Sequence, residues 1–295
     1  MDNVPVDTLL HIADIHFWKV VLNPLRLLNK RFLGNLNIIL RRGAEFPMAH
    51  AKSCLDALIH MESRQALFTG DFTSTAVDEE FKLARDFLHE LGSHDFAIHV
   101  VPGNHDVYTF ESLRNRRFER YLGEFLPLGA KPVLRHLKGG TPLLLVPTVC
   151  PNMISSKGHI SEDTIARVGE LLGSCDGRIV VAGHYPVLWQ TNSYYTKRDR
   201  RLRNADRLRT LLGSSGKQIL YVAGHVHRFS YSFDPEYPNL EHVTTGALFR
   251  IDKRRGIKGE FSEIRIDTDG FRVSHHVWTD RWEARVSEPE HIPSP

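Results

Sequence analysis

The sequence predicts an α/β fold whose C-terminal portion turns antiparallel. Three observations carry that expectation: five apolar runs of strand length each end at a polar loop, helical stripes separate the early runs, and short strand-like runs with turns such as Asp269-Gly270 fill the stretch from Phe229 to Val277. The 295 residues are 41% hydrophobic and 25% charged, an ordinary globular composition for one catalytic domain with insertions. A net charge of +3 does not suggest a nucleic-acid partner. Cys54, Cys150 and Cys175 are odd in number and form no Cys-x-x-Cys pair, so neither a disulfide framework nor a zinc ribbon is indicated and a reducing cytosol fits best. No apolar run reaches the roughly 18 residues of a membrane span, so neither a transmembrane helix nor, given Asp2 and Asp7, a signal peptide is expected.

Thr8 to Ala13 reads as the first strand and ends at Asp14-Ile15-His16. Residues two apart in an extended chain share a face, so Asp14 and His16 can both enter one cleft. Met48 to Met61 has helical character, and Gln65 to Thr69 forms a second strand that stops at Gly70-Asp71. A helix from about Asp78 to Leu91 turns Phe81, Ala84, Phe87, Leu88 and Leu91 inward. Phe96 to Val101 is the third strand and leads into Pro102-Gly103-Asn104-His105-Asp106, the densest chemistry in the chain. Arg114, Arg116, Arg117 and Arg120 then crowd one helix, read as a solvated face. Leu143 to Val146 is a strand, Glu162 to Leu172 a helix, and Arg178 to Ala182 a strand ending at Gly183-His184-Tyr185-Pro186. Gln218 to Ala223 ends at Gly224-His225-Val226-His227, again two side chains spaced for one face.

Three stretches lie outside that rhythm. Residues 17–44 hold Trp18, Lys19, Arg26, Lys30, Arg31, Arg41 and Arg42 with no acidic residue, and Val21, Leu25, Leu28, Phe32, Leu36 and Ile39 follow helical spacing, with Pro24 placed to start a helix and Gly34 to break it. An amphipathic helix pair is expected, packed on the core or, as the absence of carboxylates favours, set against lipid and phosphate head groups. Lys197 to Arg209, within a basic segment over 190–210, holds seven cations against Asp199 and Asp206; it is either a solvated loop or a clamp for an anionic substrate, with Lys197 and Arg201 as candidates. The domain is expected to close at 286, and the proline-rich tail over 287–295 to be disordered.

The five strand ends carry Asp14 and His16, Asp71, Asn104 and His105, His184, and His225 and His227. Ligands of open α/β sheets bind at the carboxyl ends of strands, so these loops are expected to converge on one site. Each alone is a polar turn; together they form a ligand set. Carboxylate, amide oxygen and imidazole suit manganese, iron or zinc rather than calcium. Eight groups exceed one tetrahedral ion and suit two.

The ordered series Asp-x-His, Gly-Asp, Gly-Asn-His-Asp, Gly-His and Gly-His-x-His resembles the calcineurin-like metallophosphoesterases over nearly the whole chain, Asp14 to His227. That resemblance implies a four-layer αββα sandwich of two mixed sheets flanked by helices. It implies two divalent transition-metal ions, manganese first: one on Asp14, His16, Asp71 and His227, the other on Asp71, Asn104, His184 and His225, with Asp71 bridging. It further implies that His105 stabilises the transition state or protonates the leaving oxygen, with Asp106 orienting it. Paired metals suit hydrolysis of a phosphate ester or pyrophosphate without a serine or cysteine nucleophile.

Fifty-seven residues separate Asp14 from Asp71, so the 17–44 insertion follows His16 directly and must border the cleft. Asn23-Pro24, Lys30-Arg31-Phe32 and Gly34-Asn35-Leu36-Asn37 running into Arg41-Arg42 resemble the chlamydial-type UDP-2,3-diacylglucosamine pyrophosphohydrolases of lipid A synthesis. That likeness implies a doubly acylated sugar-nucleotide substrate, cleaved to UMP and an acylated sugar 1-phosphate, and a cytoplasmic enzyme peripheral to the inner face of an anionic membrane through 17–44. Trp18, Arg26, Lys30, Arg31, Arg41, Arg42, Tyr185, Lys197 and Arg201 are the candidate substrate and lipid contacts. A soluble cyclic-nucleotide or general phosphodiesterase is the first alternative. A non-catalytic scaffold of the retromer type is the second, but such scaffolds lose ligands and this set is complete.

Overall fold

Seven strands in two sheets, parallel to their neighbours within each sheet, form the centre of the fold. The structure, a computed structural model, describes residues 7–20, 42–107, 109–126, 131–150 and 156–292. In chain order these form β1 (Asp7–Ile12), α1 (His50–Ile59), β2 (Gln65–Thr69), α2 (Asp78–Gly92), β3 (Ala97–Val101), α3 (Phe110–Arg114), α4 (Arg117–Leu122), β4 (Val133–His136) and β5 (Pro142–Leu145). There follow β6 (Gly158–His159), α5 (Glu162–Gly173), β7 (Ile179–Ala182), β8 (Leu202–Arg203), α6 (Ala205–Gly213) and β9 (Ile219–Ala223). The antiparallel portion foreseen after Phe229 comprises β10 (Ser230–Phe233), β11 (Leu240–Thr244), β12 (Gly259–Ile266), β13 (Phe271–Trp278) and β14 (Trp282–Ser287).

The first sheet runs β14-β13-β12-β1-β2-β3 and the second β10-β11-β9-β7-β5-β4. β1, β2 and β3 are mutually parallel, as are β5, β7, β9 and β11, because a crossover joins most of these neighbours. Antiparallel hairpins extend both sheets, through β12–β13–β14 on one and β10 and β4 on the other.

Period-2 alternation splits the second sheet between two cores. Leu143, Leu145, Val180, Ala182, Leu220 and Val222 join the core shared with the first sheet, whereas Leu144, Val181 and Tyr221 pack with Val168 of α5 and Leu208 and Leu212 of α6. Across the first sheet, α2 buries Phe81, Ala84, Phe87, Leu88 and Leu91, the inward stripe its spacing predicts, each large side chain contributing ~1.5–3 kcal/mol of transfer free energy. Helix, sheet, sheet, helix is thus the layer order, as the resemblance implies.

Two expectations are corrected, and a third lies outside the described residues. The arginine-rich helix is two helices, because the chain breaks at Arg116 (φ 47°), and Arg117 is ion-paired to Glu111 at 2.7 Å and Asp78 at 3.4 Å. Residues 288–292 of the tail are ordered: Glu290 donates its N–H to Tyr231 O at 2.9 Å and accepts from Phe233 N at 3.0 Å, covering the open edge of β10. The amphipathic helix pair, with Arg26, Lys30, Arg31 and Arg41, falls on 21–41, outside the described residues. No helix among the described residues is long and apolar enough to cross a membrane.

Candidate metal centre

Every predicted metal ligand sits at a strand end, and five of them break the backbone rule for residues bearing a Cβ. Asp14, His16, Asp71, His225 and His227 all have positive φ, between 51° and 70°. Left-handed backbone at non-glycine residues costs of order 1 kcal/mol or more apiece and concentrates where function demands it. The turn is what folds each side chain back over its strand end. Gly70 and Gly103 let two of these loops touch: a Cβ on Gly103 would lie inside the Asp71 amide and carboxylate, and one on Gly70 would strike the Gly103 backbone.

Asp14, His16, Asp71 and His227 converge, with one donor atom from each lying within 4.8 Å of the others. Nε2 of His16 is 3.1 Å from Nε2 of His227 and 3.6 Å from Asp71 Oδ2, while His227 Nε2 is 3.5 Å from Asp14 Oδ1. Beside this group, Asn104 Oδ1 is 3.1 Å from His184 Nε2 and 3.0 Å from His225 Nδ1, and His184 Nε2 is 3.6 Å from Asp71 Oδ1. Asp71 therefore faces both groups, one through each carboxylate oxygen.

Backbone carbonyls fix the ring orientation. A carbonyl only accepts, so His16 Nδ1–H donates to Thr73 O (3.3 Å), His184 Nδ1–H to Thr69 O (2.7 Å) and His225 Nε2–H to Arg200 O (2.9 Å). In a neutral ring the other nitrogen is then a bare lone pair aimed inward. Burial does keep these rings neutral: it pushes His16 well below the usual imidazole value, lowers His184, and takes His225 down to about 3. Burial also works to raise Asp14, but the imidazoles of His227, His184 and His225 overcome it and hold that carboxyl low. Asp71 goes the other way, pushed well above the carboxylate range by burial and then by the Asp14 charge.

Metal ions fit this arrangement. Asp14 Oδ1 is buried with no hydrogen-bond partner, and the bare nitrogens of His184 and His225 both face the Asn104 amide oxygen, at 3.1 Å and 3.0 Å, with no proton between them. Such lone pairs repel unless cations sit among them, and the donors are the hard and borderline types that divalent transition metals take. Asp14, His16, Asp71 and His227 would hold one ion; Asp71, Asn104, His184 and His225 would hold the second.

His105 lies at the rim, its ring centroid 4.9 Å from that of His16. Its Nδ1–H donates to Ser74 O at 2.7 Å, and its backbone N–H donates to Asp71 Oδ1 at 2.8 Å. Asp106 orients the loop rather than the ring. Its carboxylate accepts from Gly103 N (2.8 Å), Thr73 N (3.0 Å) and Thr73 Oγ1 (3.1 Å), and burial followed by the Asp71 charge raises it to about 7.

The candidate substrate contacts divide. Arg42 reaches the centre, with its guanidinium 3.4 Å and 3.5 Å from the two His105 ring nitrogens. Trp18 is half-buried and donates Nε1–H to Phe46 O at 2.8 Å, tethering the start of the insertion to its end. Tyr185 is buried, its hydroxyl donating to Ser156 O at 2.6 Å and its ring packed 4.1 Å from His225, so it supports a ligand and does not face a substrate. Arg201 lies over the Trp189 ring at 4.3 Å and donates to Thr196 O at 2.8 Å; Lys197 is exposed. The basic segment thus touches the centre through a backbone carbonyl, that of Arg200, not through a cation.

The supporting layer was not foreseen from sequence. Thr69, Thr73 and Ser74 supply the carbonyls and hydroxyl that seat the ligands, and buried Glu80 accepts from Thr75 N (2.8 Å), Ser74 N (3.2 Å) and Lys19 N (3.1 Å). The hydroxyl-rich run Thr69-Gly70-Asp71-Phe72-Thr73-Ser74-Thr75 was the available signal.

Residues 8–229 match the calcineurin-like phosphoesterase family. The probable glycerophosphodiester phosphodiesterase GpdQ of Arcobacter nitrofigilis is 24% identical over 246 residues, 78% of this chain and 80% of that protein. A dimetal phosphatase from Danio rerio shares the fold with a TM-score of 0.63 at 15% identity, covering 96% of this chain and 100% of its own. Purple acid phosphatase PPD1 from yellow lupin does so with a TM-score of 0.61 at 10% identity, covering 98% of this chain and 54% of its own. The extent of the family match, over a centre that carries the full set of paired-metal donors, makes this chain a member of the calcineurin-like phosphoesterases and a metal-dependent phosphoesterase.

Proposed function

We propose that the chain hydrolyses the diphosphate of UDP-2,3-diacylglucosamine, releasing UMP and 2,3-diacylglucosamine 1-phosphate, at the inner face of the cytoplasmic membrane. One observation carries this reading: a 28-residue segment of apolar and cationic residues with no carboxylate, 17–44, starts and finishes at the metal centre. Phe17 N donates to Phe72 O at 2.8 Å beside Asp71, and Arg42 lies against His105. A substrate with two phosphates and two acyl chains matches a segment whose composition pairs cations with apolar side chains. The same segment would meet anionic head groups.

When bound, the two divalent ions supply Lewis-acid polarisation of the phosphoryl group and a water of lowered pKa. The chain's own residues hold and aim the rest. Asp71 fixes the spacing of the two donor groups through its two oxygens, and the carbonyls of Thr69, Thr73 and Arg200 keep the imidazoles from rotating. With Nδ1–H committed to Ser74 O, any proton that His105 exchanges with a leaving oxygen passes through Nε2.

A second reading is favoured by the likeness to the Arcobacter protein, named as a probable glycerophosphodiester phosphodiesterase: a diester with one phosphate and an alcohol leaving group. The two are separated by assaying the manganese-loaded protein on UDP-2,3-diacylglucosamine, glycerophosphocholine and cyclic AMP. UMP release faster than turnover of the other two, with flotation on anionic liposomes, supports the first reading. Faster cleavage of glycerophosphocholine, with no liposome binding, replaces it with the second.

A further inference from the structure

Arg42 stands 63 residues from His105 in sequence yet lies against its ring, Nη1 3.4 Å from Nδ1 and Nη2 3.5 Å from Nε2. Its guanidinium carbon is 5.8 Å from the centroid of the Phe46 ring, and that ring packs 4.9 Å from His16 and 5.9 Å from His227. The guanidinium thus sits over Phe46, a ring that also packs on two of the candidate metal-ligating imidazoles. The charge is felt inside the centre, where it acts on both His16 and Asp71. A planar fork of donors held beside His105, whose ring lies 4.9 Å from that of His16, is suited to bidentate contact with phosphate oxygens, and its charge is permanent.

We propose that Arg42 is a specificity-determining residue: its guanidinium binds the second, departing phosphate of a diphosphate diester and so favours diphosphate over monophosphate diesters at this centre. It rests on the diphosphate reading above. When water attacks the first phosphorus, a bond forms from that phosphorus to the water oxygen and the bond from phosphorus to the bridging oxygen breaks. The electron pair stays on the bridging oxygen, which leaves as a phosphate monoester, while the attacked phosphate keeps the water's hydroxyl and the remaining proton is released. A departing phosphate monoester is a stable dianion that a fixed cation stabilises as it forms. An alkoxide departing from a monophosphate diester is served instead by a proton, which Arg42 cannot give. The guanidinium therefore discriminates by leaving group.

The test compares wild type, Arg42→Gln and Arg42→Lys, each loaded with manganese, on UDP-2,3-diacylglucosamine and on bis(p-nitrophenyl) phosphate, with calorimetric binding of methylenediphosphonate and of orthophosphate as a readout independent of turnover. Arg42→Gln should lose ~100-fold in kcat/KM on the diphosphate and less than a tenth of that on the diester, with a parallel loss in methylenediphosphonate affinity and a smaller one for orthophosphate. Arg42→Lys should fall between, because the point charge survives and the fork does not. Equal losses on both substrates, or undiminished methylenediphosphonate binding, overturn the role of Arg42 while leaving the diphosphate reading intact. Wild-type protein that cleaves only monophosphate diesters overturns that reading, and this role with it. Unchanged metal content and melting temperature establish that the variants are folded; should Arg42→Gln fail that check, the same comparison is made with Arg42→Lys.

Discussion

Replacing the shared carboxylate, Asp71→Asn, should stabilise the metal-stripped protein while abolishing its response to metal. Asp71 is 2% exposed, and burial together with the Asp14 charge pushes its carboxyl well above the usual range. An amide of the same shape keeps the oxygen that accepts from His105 N at 2.8 Å and removes the like-charge pair. An ion buried without a cation costs several kcal/mol, partly offset by that charge-assisted hydrogen bond at ~1.5–3 kcal/mol, so neutralisation should return ~1–3 kcal/mol. At ~2–4 °C per kcal/mol in a chain of this size, the melting temperature in chelator should rise by several degrees. Wild type should instead gain from metal, by ~2.7 kcal/mol at a hundred times the dissociation constant. The pH dependence separates the two further. Because the folded pKa of Asp71 lies above its unfolded value, its contribution is fully present below the ordinary carboxylate range and is lost as pH rises through the raised folded value. Chelated wild type should therefore lose stability over that interval, and Asp71→Asn should lose less. Circular-dichroism melts with chelator and with manganese across pH give the answer. A variant that melts below wild type in chelator, or that gains as much from manganese, would refute the claim that Asp14 and Asp71 are repelling carboxylates awaiting cations.

His105→Ala should retain its metal content but lose ~10²-fold or more in kcat, the usual scale for a missing acid or electrostatic stabiliser; an unchanged rate would remove His105 from the chemistry. Gly103→Ala should fold poorly around the centre and bind little metal, because its Cβ would occupy space filled by the Asp71 amide; normal metal content by elemental analysis would contradict the packing described. Glu80→Ala strands the N–H groups of buried Ser74 and Thr75 and frees that of Lys19, and should cost ~2–4 kcal/mol in urea unfolding, with a loss under 1 kcal/mol refuting it.

The convergence of the candidate ligands was legible because each abuts a run of strand-forming residues, so a local pattern repeated at five strand ends marks a single place in space. The α2 stripe was legible for the same reason: Phe81, Ala84, Phe87, Leu88 and Leu91 repeat at helical spacing. What escaped depends on contacts across sequence. Nothing nearby distinguishes Arg42, which reaches His105, from Arg201, which is stacked on Trp189. Tyr185 follows a ligand and reads as a substrate contact until its hydroxyl is found on Ser156 O. Asp106 neighbours His105 in the chain, yet its carboxylate turns back to Gly103 and Thr73. The tail's composition is that of a disordered segment, but it lies beside an open strand edge, and backbone pairing there does not depend on side-chain hydrophobicity.

Anomalous diffraction from crystals grown with manganese tests the metal centre most directly. Two peaks ~3.5–4 Å apart are expected, both bonded to Asp71, one adding Asp14, His16 and His227 and the other Asn104, His184 and His225. A single peak away from Asp71, or none in protein that still hydrolyses phosphate esters, would contradict the paired-metal assignment.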